Sequence, residues 1–258
     1  FINRFVSLTG VVVSAQNCMN DHLITSIVGH HREVGCVMSG ITVALWEPGH
    51  VTRGGRPGRG RGHDVFRVGE LHGRITARVE ELADLLGTID AARPTSNIWG
   101  ERWSKLTANA SSNPVTAMAG MGSSEVARLP QARWVQTHIA KESVQVGRAL
   151  GYEIEPVSGV PAEMWADADQ GDVFEELDAL SLAKGGGPDW RSSMAQDVTK
   201  GRRTEIDYMN GLIVEQGRAA GIPTPVNSAT VETVRGIDAG LLSPDPSNID
   251  RLVEAAGA

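Results

Sequence analysis

The hydrophobic period of this chain changes near residue 93, and that change limits what it can fold into. Ahead of it the apolar runs are short and β-branched: "VVVSAQ" (11–16), "VGCVMSGITVAL" (34–45), "HVTRGG" (50–55) and "DVFRVGEL" (64–71) read as strands. Two helices interrupt them. "NDHLITSIV" (20–28) spaces Leu23, Ile24 and Ile27 helically, and "ITARVEELADLL" (75–86) turns Val79, Leu82 and Leu86 inward. From Ser96 onward every segment has helical spacing. The candidates are a helix through residue 117, then 131–150, 172–183, 192–200, 204–220 and two closing helices. Gly201 and Gly221 occupy C-terminal cap positions, and Thr204 with Asp207 has the form of a capping box. The acidic, Pro/Gly-punctuated stretch 155–171 reads as a loop or lid. The expected fold is α/β plus all-α: an incomplete α/β segment over 1–92 and an all-helical domain over 93–258.

Composition removes several function classes. A net charge of −7 with few aromatics argues against a nucleic-acid surface. The one basic run, "RGGRPGRGRG" (53–62), lies between strand candidates and reads as a mobile hairpin tip. Cys18 and Cys36 have neither metal-ligand nor disulfide-framework spacing, which suits a reducing cytoplasm. The histidines show no ligand spacing, so no metal is expected, and no apolar run has membrane length. "GMGSSE" (120–125) follows a helix and lacks the third glycine of a dinucleotide loop. The opening "FINRFVSLTG" has no initiator Met and no signal-peptide pattern, so the chain is expected to begin within a longer protein.

The chemistry concentrates in "WSKLTANASSNPVTA" (103–117), where Lys105, Asn109 and Asn113 recur at steps of four. Steps of four on a helix drift only ~40°, so these side chains share one face over roughly 12 Å. Trp99, Trp103, Leu106 and Ala110 form the core-facing stripe, while Ala108, Ser111 and Ser112 leave room for another molecule to approach. Spacing alone fits a solvated polar face as well as a binding face. Three further stretches bear on that choice. Asn17 follows a strand at its carboxyl end, where open α/β sheets hold ligands, although turn chemistry accounts for it too. Ser192 and Ser193 begin a helix, where hydroxyls cap or hold an anion. Glu205 sits in the first turn of the next helix, a position that also favours plain surface charge.

Together the blocks "QN" after a strand, "W-x-K-x-x-x-N-x-x-x-N-P-x-T-A", "S-S-M-x-Q-D" and "T-E-I-D-Y-x-N-G…G-I-x-x-P-x-N" resemble, in order, the ketopantoate reductase (2-dehydropantoate 2-reductase) family. The resemblance implies NADPH-dependent reduction of a 2-oxo acid, ketopantoate to pantoate in pantothenate biosynthesis. It also implies a nucleotide-binding domain of Rossmann type whose G-x-G-x-x-G strand precedes this chain, and a helical domain similar to the C-terminal domain of 6-phosphogluconate dehydrogenase. By that resemblance Lys105 is the catalytic lysine, and Asn17, Asn109, Asn113, Ser192 and Ser193 bind substrate. Asn17 and Glu205 also contact NADP(H). A small oxo acid is the implied partner, with no nucleic acid or membrane, and a homodimer is left open. The sequence departs from the family where Cys18 stands in place of the usual glycine, where Ser123 takes the position of a later substrate asparagine, and in the insert over 155–190.

The groups themselves suit the chemistry. Hydride addition to a ketone builds charge on its oxygen, which needs a cationic donor, and Lys105 can polarise that oxygen and protonate it. Glu205, if close, would keep Lys105 charged. The competing readings are a paralogous reductase of another oxo acid and a non-catalytic helical binding module.

Overall fold

The computed structural model describes residues 2–55, 57–185 and 189–256. The chain divides into two compact units, Phe1–Lys105 and Leu106–Ala258.

The first unit is built on a four-stranded sheet in the order β1 (Val12–Ser14), β2 (Glu33–Met38), β5 (Phe66–Gly69), β6 (Ala92–Pro94). β1 pairs parallel with β2, β2 antiparallel with β5, and β5 parallel with β6. Helix α1 (Asp21–Val28) makes the crossover from β1, and α2 (Ala77–Gly87) precedes β6. Val34, Cys36, Val65, Phe66, Val68 and Val79 form the core, with Leu82 and Leu86 of α2 packed on it as their spacing predicts. The remaining strands, β3 (Thr42–Glu47) and β4 (His50–Gly54), form a separate antiparallel hairpin.

The helix that the spacing of residues 20–28 predicts forms as α1, and one expectation, the hairpin tip at 53–62, is overturned in this unit. In α1, Leu23 and Ile27 are exposed while Asp21, Thr25 and Val28 are buried. The buried partner of Asp21 is Arg102, and this ion pair turns the polar edge of the helix inward. The basic run 53–62 is no hairpin tip, because the hairpin turn falls at residues 48–49. Its first residues lie in β4, and the following loop is held by Asp90, whose Oδ1 accepts the Gly58 and Arg59 N–H groups at 2.9 and 3.0 Å while Arg53 pairs with the same carboxylate. Arg56 lies outside the described residues.

The second unit is helical. The long helix α3 (Ile98–Ala119) enters it at Leu106, and α4 (Ser123–Val126), α5 (Pro130–Ala149), α6 (Ala162–Ala166), α7 (Val173–Lys184), α8 (Ser193–Thr199), α9 (Asn210–Ala220), α10 (Pro225–Asp238) and α11 (Ser247–Ala256) follow. Pro114 inside α3 has no N–H for the carbonyl of Ala110, four residues back. Asn210, fully buried at the start of α9, donates its Nδ2 to that carbonyl at 3.1 Å and to Asn227 Oδ1 at 3.0 Å. Asn227 donates in turn to Glu142, whose carboxylate also accepts the Val226 and Asn227 N–H groups at the start of α10. A proline-freed carbonyl is thus satisfied by a buried polar chain.

The stretch 155–171 is not a lid. Val157 and Val160 form a β-bridge, and Val157, Ala162, Trp165, Ala166 and Ala168 pack with Ala140, Val144 and Leu177. Small apolar residues between the prolines and glycines let it close against α5 and α7. The expected helix 204–220 is interrupted as well. A 3-10 turn, Ile206–Tyr208, comes first, so Glu205 precedes that turn and is outside the first turn of α9. Thr204 and Asp207 make no capping box: Thr204 Oγ1 donates to Asp238, and Asp207 pairs with Arg203 and Arg235. Gly221 does cap α9, with a φ of +73° that favours glycine.

Candidate active site

In the first unit the chain leaves β1 through Ala15, Gln16 and Asn17, then turns at Cys18, whose φ of +65° is rare for a residue with a Cβ. Arg102, one turn ahead of Lys105 on α3, holds this strand end. Its guanidinium donates to the Gln16 and Ser14 carbonyls and to Asp21 Oδ1, each at 2.7 Å. Arg102 and Lys105 therefore bring the helix face to the carboxyl end of β1. Asn17 and Lys105 line one small pocket there, about 10 Å³, together with Cys18, Met38 and Arg102. That volume is room for one water molecule. Asn17 is exposed, and Asn20 Nδ2 caps its carbonyl at 2.5 Å.

Lys105 is half-buried and makes no hydrogen bond or ion pair with the described residues of its unit. Burial lowers its pKa, and the nearby guanidinium of Arg67 lowers it further. The charge that bears on Lys105 here is thus a cation, opposite in effect to a carboxylate neighbour. Trp99 and Trp103 take the core side of this helix as their spacing predicts; Trp99 Nε1 donates to the Leu71 carbonyl at 2.9 Å and its ring stacks on His22 at 4.7 Å.

In the second unit Asn109 is half-buried and its amide makes no hydrogen bond with the described residues of that unit. Asn113 is buried; its Nδ2 reaches Ser193 Oγ at 3.4 Å, and its Oδ1 accepts from Ser112 at 3.2 Å. Asn113 and Ser193, both expected to bind substrate, are therefore neighbours. Ser192 makes contacts within the fold. It is 1% exposed, caps α8 by accepting Ala195 N–H at 3.1 Å, and its hydroxyl also lies 2.7 Å from Thr116 Oγ1 and 3.3 Å from the Asn113 carbonyl. Glu205 is half-buried, and its carbonyl accepts the Tyr208 N–H at 3.0 Å.

Sequence reasoning passed over Arg102. Its signal was an arginine between two inward-facing tryptophans, a position where an unpaired charge is too costly to keep.

A family model described as "Ketopantoate reductase PanE/ApbA C terminal" matches residues 97–238. The 2-dehydropantoate 2-reductase of Archaeoglobus fulgidus is 32% identical over 238 residues, covering 90% of this chain and 69% of that protein. The chain belongs to the ketopantoate reductase family. A second member of the family, from Pyrobaculum aerophilum, is 31% identical over 65% of this chain, which spans 53% of its length. Solved structures share the fold. D-mandelate dehydrogenase, determined with NADH and anilino(oxo)acetate, superposes with a TM-score of 0.75 at 22% identity, over 93% of this chain and 71% of that one. The Ralstonia eutropha ketopantoate reductase gives 0.70 at 24%, over 91% and 68%. The dimeric ketopantoate reductase of Staphylococcus aureus gives 0.64 at 17%, over 89% and 68%. The architecture is thus a Rossmann-like sheet segment with a helical domain: the hydrophobic periods predicted an α/β segment before a helical one, and the family resemblance implied the Rossmann type. Among the described residues no group of three or more His, Cys, Asp or Glu could hold a metal ion, and no helix is long and apolar enough to cross a membrane.

Proposed function

We propose that this chain carries the catalytic lysine and the substrate-binding helices of an NADPH-dependent reductase of 2-oxo acids, with ketopantoate to pantoate as the family's reaction and a related oxo acid as the alternative. The observation that carries this reading is Lys105: a half-buried ammonium with lowered pKa, facing the pocket that Asn17 shares at the carboxyl end of β1. A polar helix face alone does not require a desolvated, unpaired cation at that place, and a scaffold gains nothing from one.

The residues present fit one end of the cofactor. Asn17 offers an exposed amide at a strand end, where α/β sheets hold nicotinamide rings, while residues 2–105 contain no strand-to-helix G-x-G-x-x-G turn for the phosphates. A bound nicotinamide supplies the hydride. Lys105 polarises the ketone oxygen and gives it a proton from Nζ, so the 2-hydroxy acid forms as the neutral lysine takes a proton back from solvent. Asn109 and Asn113 donate amide hydrogens to substrate oxygens, Ser193 receives the carboxylate, and Glu205 accepts from a hydroxyl of substrate or cofactor ribose. Ser192 is left to its cap. In this reading residues 1–92 belong to the nucleotide-binding domain and 93–258 to the substrate domain, the protein works in the cytoplasm, and it assembles as a homodimer like the Staphylococcus relative.

The test is NADPH oxidation with ketopantoate and a panel of 2-oxo acids, for the protein and for Lys105→Ala. Turnover that depends on Lys105 supports the reading. A Lys105→Ala protein that turns over normally on its best substrate removes it.

A further inference from the structure

Pro114 interrupts the hydrogen-bond ladder of α3 beside the two amides of the polar row. In a helix the carbonyl of residue 110 is met by the N–H of residue 114, which a proline lacks. Asn109 lies just before this open turn, and Asn113, whose Nδ2 reaches Ser193 Oγ of α8 at 3.4 Å, lies within it. Proline is also the least favourable residue inside a helix, and an alanine at 114 would satisfy the Ala110 carbonyl within α3 itself. That carbonyl is instead met from outside, by Asn210 of α9 at 3.1 Å.

The direction of the donors along this buried chain starts at Glu142 of α5. A carboxylate accepts and has no hydrogen to give. Its Oε1 accepts the Val226 N–H at 2.9 Å, and its Oε2 accepts the Asn227 N–H at 2.9 Å and Asn227 Nδ2 at 2.7 Å. The Asn227 amide is thereby turned with Nδ2 toward Glu142 and the Ile139 carbonyl, and with Oδ1 toward Asn210. That oxygen draws Asn210 Nδ2, which also reaches the Ala110 carbonyl. Asn210 Oδ1 is buried with no hydrogen-bond partner among the described residues, so the donor side alone orients this amide. Reversing it would set an oxygen against the Ala110 carbonyl. Glu142 thus fixes, through two amides on α10 and α9, which group meets α3 at its break.

We propose that Glu142, Asn227 and Asn210 are positioning residues of the reductase: by holding the Ala110 carbonyl they keep α3 open at Pro114 and set where Asn109 stands relative to Asn113 and Ser193. The inference rests on the reductase reading. None of the three touches the substrate in that reading; they act through the backbone of α3. A buried polar chain contributes a fixed geometry more than stability, since apolar side chains of like volume hold a core as well. Here the geometry it fixes is that of the turn between two substrate-binding amides.

The experiment separates placement from stability. Pro114→Ala gives the Ala110 carbonyl an N–H within the helix, so the urea midpoint should hold or rise. KM for the best 2-oxo acid should nevertheless rise about three- to tenfold, the worth of one misplaced hydrogen bond. Turnover number and NADPH affinity should change less. Glu142→Leu removes the acceptor that orients the chain and should raise KM by a similar factor, while Glu142→Gln, whose Oε1 still accepts from Asn227, should recover most of that loss. With Pro114→Ala already in place, Glu142→Leu should add little further, because the carbonyl no longer depends on Asn210. The side-chain amide resonances of Asn109, assigned by their loss in Asn109→Ala, should shift in Glu142→Leu and less in Glu142→Gln with no ligand present. If Glu142→Leu does not fold, Pro114→Ala decides. An unchanged KM in Pro114→Ala, or a Glu142→Leu effect of equal size with and without Pro114, overturns this proposal while the reductase reading stands. A parent protein that reduces no 2-oxo acid overturns the reductase reading and, with it, the positioning role.

Discussion

Arg102 and Asp21 meet at 2.7 Å with their side chains 3% and 0% exposed, and the same guanidinium holds the carbonyl of Ser14 at the end of β1 and that of Gln16 beyond it. The contact links the segment that leaves β1 toward Asn17 to the helix that carries Lys105. Arg102→Met leaves Asp21 buried without its cation and frees two carbonyls. Loss of one partner of a buried pair costs about 3–5 kcal/mol. The expected result is a lower urea midpoint with an unchanged slope. Arg102→Lys keeps the charge but cannot span three acceptors, so it should recover only part of the loss.

Glu33 sits fully buried on β2 against the same pair. Its pKa is raised to about 8, by burial first and by the neighbouring Asp21 second, with Arg102 opposing them. The folded state therefore holds a proton that the unfolded chain releases in the ordinary carboxylate range. Stability is greatest in acid below that range, falls as pH rises through it, and levels off above about 8. Glu33→Gln mimics the protonated form. It should match the parent at low pH and exceed it by on the order of 1–2 kcal/mol in mild alkali. Urea midpoints across a pH series measure this; a constant difference at all pH values would mean that Glu33 does not titrate as described.

Cys18 holds a φ of +65° immediately after Asn17. A residue with a Cβ gives up about 1–2 kcal/mol in this region, which glycine does not. Cys18 is also buried, so its replacement loses packing as well. Comparing Cys18→Gly with Cys18→Ala cancels most of that loss. The glycine variant should be the more stable of the two by about 1 kcal/mol in thermal or urea unfolding.

The large features were legible because they rest on period and punctuation. The α2 stripe of Val79, Leu82 and Leu86, the tryptophan side of α3 and the cap at Gly221 follow from spacing alone. What sequence could not supply was pairing across distance. Leu23 and Ile27 fit a helical stripe, yet the buried Arg102–Asp21 pair decides which face of α1 turns inward. Asn210 and Asn227 are part of the blocks that carry the family resemblance; in the fold Asn210 donates to the carbonyl freed by Pro114, and Asn227 accepts from Asn210 and donates to Glu142. Asn210→Leu should therefore cost about 1–3 kcal/mol of stability through that unmet carbonyl. If the variant instead keeps its stability and loses substrate affinity, Asn210 belongs to the site.

Lys105 is the sharpest test of function. Its lowered pKa comes from burial first and the Arg67 charge second, so the ammonium gives up its proton more readily than an exposed lysine. Turnover should fall as pH rises through this pKa, with an alkaline limb below the ordinary lysine range. In the proposed reaction, Lys105→Ala removes the donor to the developing alkoxide. A missing donor of this kind costs about 3–4 kcal/mol, a hundred- to a thousandfold in kcat. NADPH affinity, which depends on phosphate contacts elsewhere, should change little. Asn109→Ala should raise KM more than it lowers kcat, since an amide that holds substrate equally in ground and transition states contributes to binding alone. Lys105→Arg separates charge from proton transfer: it keeps a cation at the ketone oxygen but releases no proton in the working range. Its turnover should stay low, and its alkaline limb should vanish. An arginine variant with normal turnover and the parent pH profile would show that the proton comes from another group.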